Sequence, residues 1–505
     1  MYRTCQEIFT PTDCLCSLKI ISTRPFHVGD KVILSYRAIS INPKFERNVQ
    51  IAEAREDDES WVTLLVGENG TRKSYLLSLI FGDVTRISIG KRANARIRAC
   101  MTTNEVSQVI ALSGTPLDRF PRHVKIRRHP EFGWNIPYTY IGQRAANGVV
   151  GTGQSDKRLV SALLENRSEL KARESELKMV FGQLRLAVVA KVRFNVPYKR
   201  LASTDINEHI ETHVGKLEEF CRGLIKTALR NTPDYKDAVE ALKFIDSPAK
   251  RSVLARHLMN FPKAGYHVRI ALTGTFSRRG TFPTSVWRML FESSAVELSH
   301  IEFEAQEGDA NMWGGTTIQG NFLSSGQWSW LSTLGGLATQ ITDDSLVLVD
   351  EPENSLHPSW QRSYVPTILK ILRNHKRCHA IIATHAPLIA SGLPPDAGNV
   401  RRMHREIVHG KPVICSSAAD STFGWSASDA YETLFELDTT RAKIFDHEAT
   451  EALEMIRDQS GSRHRQAELL EILTAHQKSL PEFDSMRHVL SGIIADLTAI
   501  HGKQK

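Results

Sequence analysis

Residues 344–358 read DSLVLVDEPENSLHP, a short apolar run closed by two adjacent carboxylates, Asp350 and Glu351. The apolar stretch from Leu346 to Val349 is too short for an ordinary helix but suits a parallel strand covered on both faces. The acids then sit at the strand's C-terminal tip, the edge of an open α/β sheet where ligands bind. At that edge one carboxylate can hold Mg²⁺ while its neighbour handles an attacking water. By itself an acidic strand end is a weak signal, and its weight comes from three other segments.

The first is WVTLLVGENGTRKSYLLSLIF, residues 61–81, where a β-type run enters a Gly-containing turn and leaves as an apolar helix. A phosphate-binding loop asks for Gly, four residues, then Gly-Lys-Ser/Thr. Gly67, Lys73 and Ser74 fit, and Arg72 stands where the second Gly belongs. Gly70 adds a flexible point, and Asn69 and Thr71 complete the loop. Backbone N–H groups of such a turn converge on phosphate oxygens, aided by the positive end of the following helix. Lys73 is then expected at the outer phosphates and Ser74 on Mg²⁺. Arg72 can add charge or crowd the loop. The bland alternative is a strand-turn-helix corner that happens to contain Lys-Ser.

The second segment, residues 321–341, contains LSSGQ at 323–327. Ser324 suits an N-cap, Ser325 and Gly326 allow close backbone approach, and the helix start can receive an anion. The third, RCHAIIATHAPLIAS at 377–391, is a buried strand ending in Thr384 and His385. In this order the four segments resemble the ATP-binding cassette class of P-loop ATPases, which implies ATP and Mg²⁺ as cofactors. In that class ATP lies between the phosphate loop of one copy and the LSGGQ-type signature of another. Here LSSGQ departs by one residue. The resemblance implies Asp350 on Mg²⁺, Glu351 polarising the water, His385 sensing the γ-phosphate, Ser324 and Gly326 acting in trans, and Gln327 among the cofactor-binding residues. It also calls for a catalytic and metal-contacting Gln at a strand end. Gln143 in IPYTYIGQRAANG is the candidate, with Gln154 nearby.

From Lys73 to Ser324 is 251 residues, longer than a compact transporter head requires. The expected fold is α/β: a P-loop head with a mixed sheet flanked by helices. Its divisions are a first head part at 1–155, a helical insert at 156–262, a second head part at 263–415 and a helical C-terminal region at 416–505. The longest run in the insert, about 30 residues, spans roughly 45 Å, too short for a long coiled-coil arm. A hairpin is expected around His409-Gly410, and Pro481 is expected to open the last helix, with Phe483, Met486, Val489, Leu490 and Ile493 on its apolar face.

In carrying an insert here, the chain resembles members of the SMC and RecF-like branch. Within that branch DEPENSLHP, ATHAP and VIALSGTPLDRF (109–120) look like Septu PtuA-type anti-phage ATPases. That resemblance implies dimers or higher oligomers through the ATP sites and a separately encoded HNH-type nuclease partner. Arg72 argues for slow turnover. A RecF-like ATPase of DNA repair or chromosome maintenance is the alternative. A transporter ATPase ranks last, because SLHP follows the acidic pair where transporter heads have an Ala-Leu-Asp-type element.

Composition is that of an ordinary globular chain: 505 residues, 41% hydrophobic and 24% charged. No apolar run approaches the length of a membrane span, so no membrane is expected and the expected location is the cytoplasm. The seven Cys are scattered without paired zinc-site spacing, which reads as free thiols. A net charge of +8, with basic concentrations at 87–98 and 119–130, permits nucleic acid as a partner through salt-dependent phosphate contacts. No nuclease constellation follows His385, so cleavage of DNA would belong to another chain.

Overall fold

The computed structural model describes residues 37–38, 49–52, 59–85, 106–121, 136–142, 155–196, 206–228, 230, 232–264, 266–272, 274–277, 282–408, 410–437 and 439–503. The chain divides into two compact units, 1–427 and 428–505.

In the first unit, β1 (Arg37–Ala38) and β2 (Val49–Gln50) form a short antiparallel ladder. Next, β3 (Trp61–Val66) feeds α1 (Lys73–Thr85), and β4 (Gln108–Ser113) and β5 (Tyr138–Ile141) follow. Then come α2 (Ser155–Glu165), α3 (Glu174–Gly182), β6 (Leu186–Asn195), α4 (Ile206–Thr227), α5 (Pro233–Ile245) and α6 (Pro248–Ala264). They are followed by β7 (Tyr266–Ala271), β8 (Gly274–Ser277), α7 (Thr284–Glu292), β9 (Glu297–Ala305) and β10 (Thr317–Gln319). A continuous helical run joins α8 (Ser325–Trp330), a π-turn at Leu331–Gly335 and α9 (Gly336–Gln340). Finally β11 (Ser345–Asp350), α10 (Pro358–Leu372), β12 (His379–Thr384), α11 (Pro387–Ala390), β13 (Gly398–Val408) and β14 (Lys411–Ala419) complete the unit.

Seven strands form the main sheet in the order β14-β13-β3-β12-β11-β4-β5. All neighbours are parallel except the edge pair β13–β14, so the sheet is mixed, as expected. The run Leu346–Val349 lies in β11, an interior strand buried throughout. On one face, Leu76, Leu77, Ile80 and Phe81 of α1 pack on Leu65, Val109, Ala111, Leu346, Leu348, Ile381, Ala383 and Met403. Each such side chain contributes about 1.5–3 kcal/mol when fully buried, which anchors the helix that follows the loop at 67–72. The expected hairpin is present, with Val408 opposite Lys411.

The interval read as a helical insert differs from expectation. The five helices among its described residues are accompanied by β6, the middle strand of a separate antiparallel sheet, β10-β9-β6-β7-β8. Strand β6 reads LAVVAKVRFN, and burial alternates along it, so a two-residue period was present within a region that reads as helical overall. The charged run expected as one helix of about 30 residues is instead α2 and α3, separated by turns at 166–173. The second sheet also draws on 266–319, so the boundary expected at 262/263 cuts through it.

The second unit holds most of α12 (Ala427–Phe435) and all of α13 (Lys443–Asp458), α14 (Arg463–Ser479) and α15 (Met486–Lys503). Its core is Ala449, Ala452, Leu469, Leu473, Leu490, Ile493 and Leu497. The expected helical region began at 416, but β14 continues to Ala419 and the division between units falls after 427. Pro481 precedes α15 by several residues rather than opening it, and Phe483 is 93% exposed, so it is no part of the helix's apolar face. Among the described residues no helix is long and apolar enough to cross a membrane.

Candidate functional site

Sheet register assembles the site. Val66 is paired with Thr384, Ala383 with Asp350, and Asp350 with Ser113, so four parallel strands end side by side. At a strand spacing of about 4.8 Å, the residues just past those ends fall along one line at the sheet's C-terminal edge. They are Gly67, His385, Glu351 and Gly114, drawn from segments that together span more than 300 residues of sequence.

The loop 67–72 turns tightly between β3 and α1. Gly67 has φ +146° and Gly70 φ +86°, values that side-chain-bearing residues rarely adopt. A Cβ on Gly67 would also lie 2.2 Å from the carbonyl oxygen of Met403. Arg72 has φ +66°, so the residue standing at the Gly position keeps the Gly-like backbone. Glu68, Asn69 and Gly70 are exposed, whereas Thr71 and Lys73 are buried. The Lys73 ammonium donates to the carbonyls of Gly67 at 2.7 Å and Glu68 at 3.0 Å, bridging the loop. Burial lowers its pKa from the usual lysine value, opposed by the carboxylates of Glu353, Glu351, Asp350 and Glu68.

Ser74, the first-turn residue of α1, donates its hydroxyl to Asp350 Oδ1 at 2.8 Å. Two hard oxygen donors from distant segments thus meet beside the loop, a donor set suited to Mg²⁺. Burial pushes the Asp350 carboxyl up to about 7, with the Ser74 hydrogen bond opposing the shift and the neighbouring carboxylates adding to it. Glu351 has φ +47°, a strained value for a non-glycine residue, and its Oε2 accepts from Asn354 Nδ2 at 3.1 Å. A Cβ on Gly114 would stand 2.2 Å from the Glu351 carbonyl oxygen, so only glycine fits beside the acidic turn.

His385 has 38% of its side chain exposed. Its Nδ1 lies 3.0 Å from Glu353 Oε1, and that contact raises its pKa. Glu353 went unassigned in the sequence reading, although it is the third acid of DEPENSLHP. The signal was its spacing from the acidic pair; its burial was not readable. Gly114 was also missed, because nothing local marks a close approach to Glu351.

The LSSGQ segment forms the expected helix start. Ser324 Oγ accepts from Gln327 N at 3.3 Å, and Gln327 Oε1 accepts from Ser324 N at 2.7 Å, a reciprocal capping box. Ser324 and Ser325 are exposed, while Gly326 is buried against the loop after β11, where a Cβ would meet the Ser355 carbonyl oxygen at 2.3 Å. The structure therefore brings together Lys73, Ser74, Asp350, Glu351 and His385. No hydrogen bond or ion pair links Ser324, Gly326 or Gln327 to that group among the described residues. Gln143 and Gln154 lie outside the described residues.

Residues 222–391 match the family described as "AAA domain, putative AbiEii toxin, Type IV TA system". The match and the geometry together support a P-loop ATPase domain. The matched span takes in the LSSGQ segment, Asp350, Glu351 and His385, and the loop at 67–74 joins this ATPase domain through the Ser74–Asp350 contact. Over 72 residues the chain is also 38% identical to Protein ea59 of Escherichia phage lambda, a stretch covering 14% of this chain and 14% of that protein.

Proposed function

We propose that this chain is an ABC-class ATPase of the SMC/RecF-like branch, similar to the Septu PtuA type, serving as the sensing and regulatory subunit of an anti-phage complex. The observation that carries the nucleotide reading is the hydrogen bond from Ser74 to Asp350, which joins a phosphate-type loop to an acidic strand end. Mg²⁺ held by those two oxygens would neutralise charge on the nucleotide's outer phosphates. Lys73 is placed to leave its loop carbonyls for a phosphate oxygen, and the N–H groups at the start of α1 orient the phosphate chain. Glu351 orients a water and accepts its proton, and His385 contacts the terminal phosphate.

Ser324 and Ser325 are exposed at the start of a helical run reaching Gln340, which suits their use by a second copy across the nucleotide. The defence role draws on the resemblance of DEPENSLHP and ATHAP to the Septu type and on the toxin–antitoxin wording of the matched family. A separate HNH-type nuclease would supply cleavage.

Lys73→Ala is expected to weaken Mg·ATP binding by about ten-fold or more, and Glu351→Gln to bind ATP but stall with it, stabilising a dimer. Calorimetry, single-turnover hydrolysis and light scattering check this. If neither substitution changes binding, turnover or assembly, the site assignment is wrong. Purification from the native operon tests the partner: a stoichiometric nuclease and DNA-indifferent turnover support the defence reading. A solitary chain whose turnover rises with duplex DNA supports the RecF-like one.

A further inference from the structure

The carboxylate of Glu353 has only 5% of its side chain exposed. A buried acid is costly unless something pairs with it. Both groups that meet this one belong to a single residue. The His385 backbone N–H donates to Glu353 Oε1 at 2.7 Å, and His385 Nδ1 stands 3.0 Å from the same oxygen, an ion-pair distance outside hydrogen-bond geometry. The other oxygen, Oε2, is buried with no hydrogen-bond partner among the described residues. Glu353 is also the foremost carboxylate acting on Lys73, so its charge reaches both cations at the sheet edge.

A carboxylate needed only to tie down the loop after β11 would be served by the backbone N–H. The ring contact is additional, a charge contact rather than a hydrogen bond, and it brings the Nδ1 edge of the imidazole to the carboxylate. We infer that Glu353 is a positioning residue: it holds the Nδ1 edge of His385, leaving Nε2 as the ring nitrogen presented to the terminal phosphate. The inference rests on the nucleotide reading above. It follows the logic by which the second ring nitrogen of a working histidine is fixed by a carboxylate. The charged groups acting on His385 are Glu353, Glu351 and Lys73, the carboxylates favouring its cation and the ammonium opposing it.

The test uses the full chain with Mg·ATP and compares wild type, Glu353→Gln, Glu353→Asp, His385→Gln and the Glu353→Gln/His385→Gln pair. Calorimetry gives Kd and single-turnover hydrolysis gives the rate across pH. Glu353→Gln is expected to leave Kd within about three-fold while slowing hydrolysis by about ten-fold or more. The basic limb of its pH profile moves to lower pH, because the carboxylate no longer favours the imidazolium. Glu353→Asp, which keeps the charge, restores the position of that limb. The double variant is no slower than His385→Gln alone, since one residue acts through the other.

A wild-type rate and profile in Glu353→Gln, or additive losses in the double variant, overturns the inference. If both Glu353 variants fail to fold, the imidazole ¹⁵N shifts of His385 in the wild-type chain decide: a protonated Nδ1 upholds the inference, and a neutral ring protonated only at Nε2 overturns it. Wild-type protein that does not bind Mg·ATP at all removes the nucleotide reading itself. Lys73-dependent binding with an indifferent Glu353 removes only this inference.

Discussion

At the scale of single residues, the site stores strain where chemistry is expected. Arg72 and Glu351 both adopt positive φ without being glycine, at 66° and 47°. Such conformations cost about 1–2 kcal/mol per residue, because Cβ crowds the following carbonyl. At Arg72 the loop demands a glycine backbone and the sequence supplies a cation. Arg72→Gly is therefore expected to raise stability by up to about 1 kcal/mol in urea unfolding, the relieved strain being partly offset by glycine's greater freedom when unfolded. Arg72→Ala keeps the Cβ and should show no such gain. An equal gain from both would mean that the guanidinium, not the backbone, is the destabilising element. The loop was legible because Gly67, Lys73 and Ser74 keep fixed spacing. Glu353 was not, because its task depends on His385, a residue brought beside it by strand pairing.

At the scale of elements, a buried ion network ties α2, α5 and α7. Arg288 of α7 meets Asp237 at 3.0 Å and Glu165 at 3.6 Å, and also pairs with Asp234. Arg167, just after α2, meets Asp237 at 2.8 Å. The network borders a cavity of about 590 Å³ whose wall includes Glu165 and Glu292. Burial pushes the Glu292 carboxyl from 4.5 up to about 7. Since the folded state holds this proton more tightly than the unfolded chain, its stabilising effect is complete below about 4.5 and is lost as pH rises through about 7. Wild-type thermal stability is accordingly expected to fall between mildly acidic and mildly alkaline pH. Glu292→Gln should flatten that fall by several degrees, as measured by Tm in calorimetry. An unchanged slope would mean that Glu292 stays ionised in the fold. The strand β6 in this region shows the limit of reading elements by composition. Charged helices on both sides set the regional pattern, and the ten-residue alternation became decisive only through pairing with β7 and β9.

At the scale of the whole molecule, the chain is two units, each with its own apolar core. In residues 428–505, polar contacts reinforce the packing: Arg465 with Glu451 at 2.6 Å, His476 with Glu448 at 2.6 Å, and Arg441 with Asp484 at 2.7 Å. A core of its own is the physical requirement for independent folding. Residues 428–505 expressed alone are expected to give a helical circular dichroism spectrum and a cooperative melt. A featureless melt would show that the C-terminal helices need the first unit to fold.

What the sequence determined by itself is local and periodic. Short apolar runs specify buried strands, Gly67 and Gly70 specify a tight turn between strand and helix, and Ser324 specifies a capped helix start. These depend on neighbours within a few residues, which one chain displays directly. Tertiary structure alone decided that β12 lies between β3 and β11, that their ends align in register, and that Ser74 reaches Asp350. It also decided that Gly114 must lack a side chain and that Glu353 accepts from the His385 backbone N–H. Those facts arise from strand order and register, which set distances between residues hundreds of positions apart and leave no mark in local spacing.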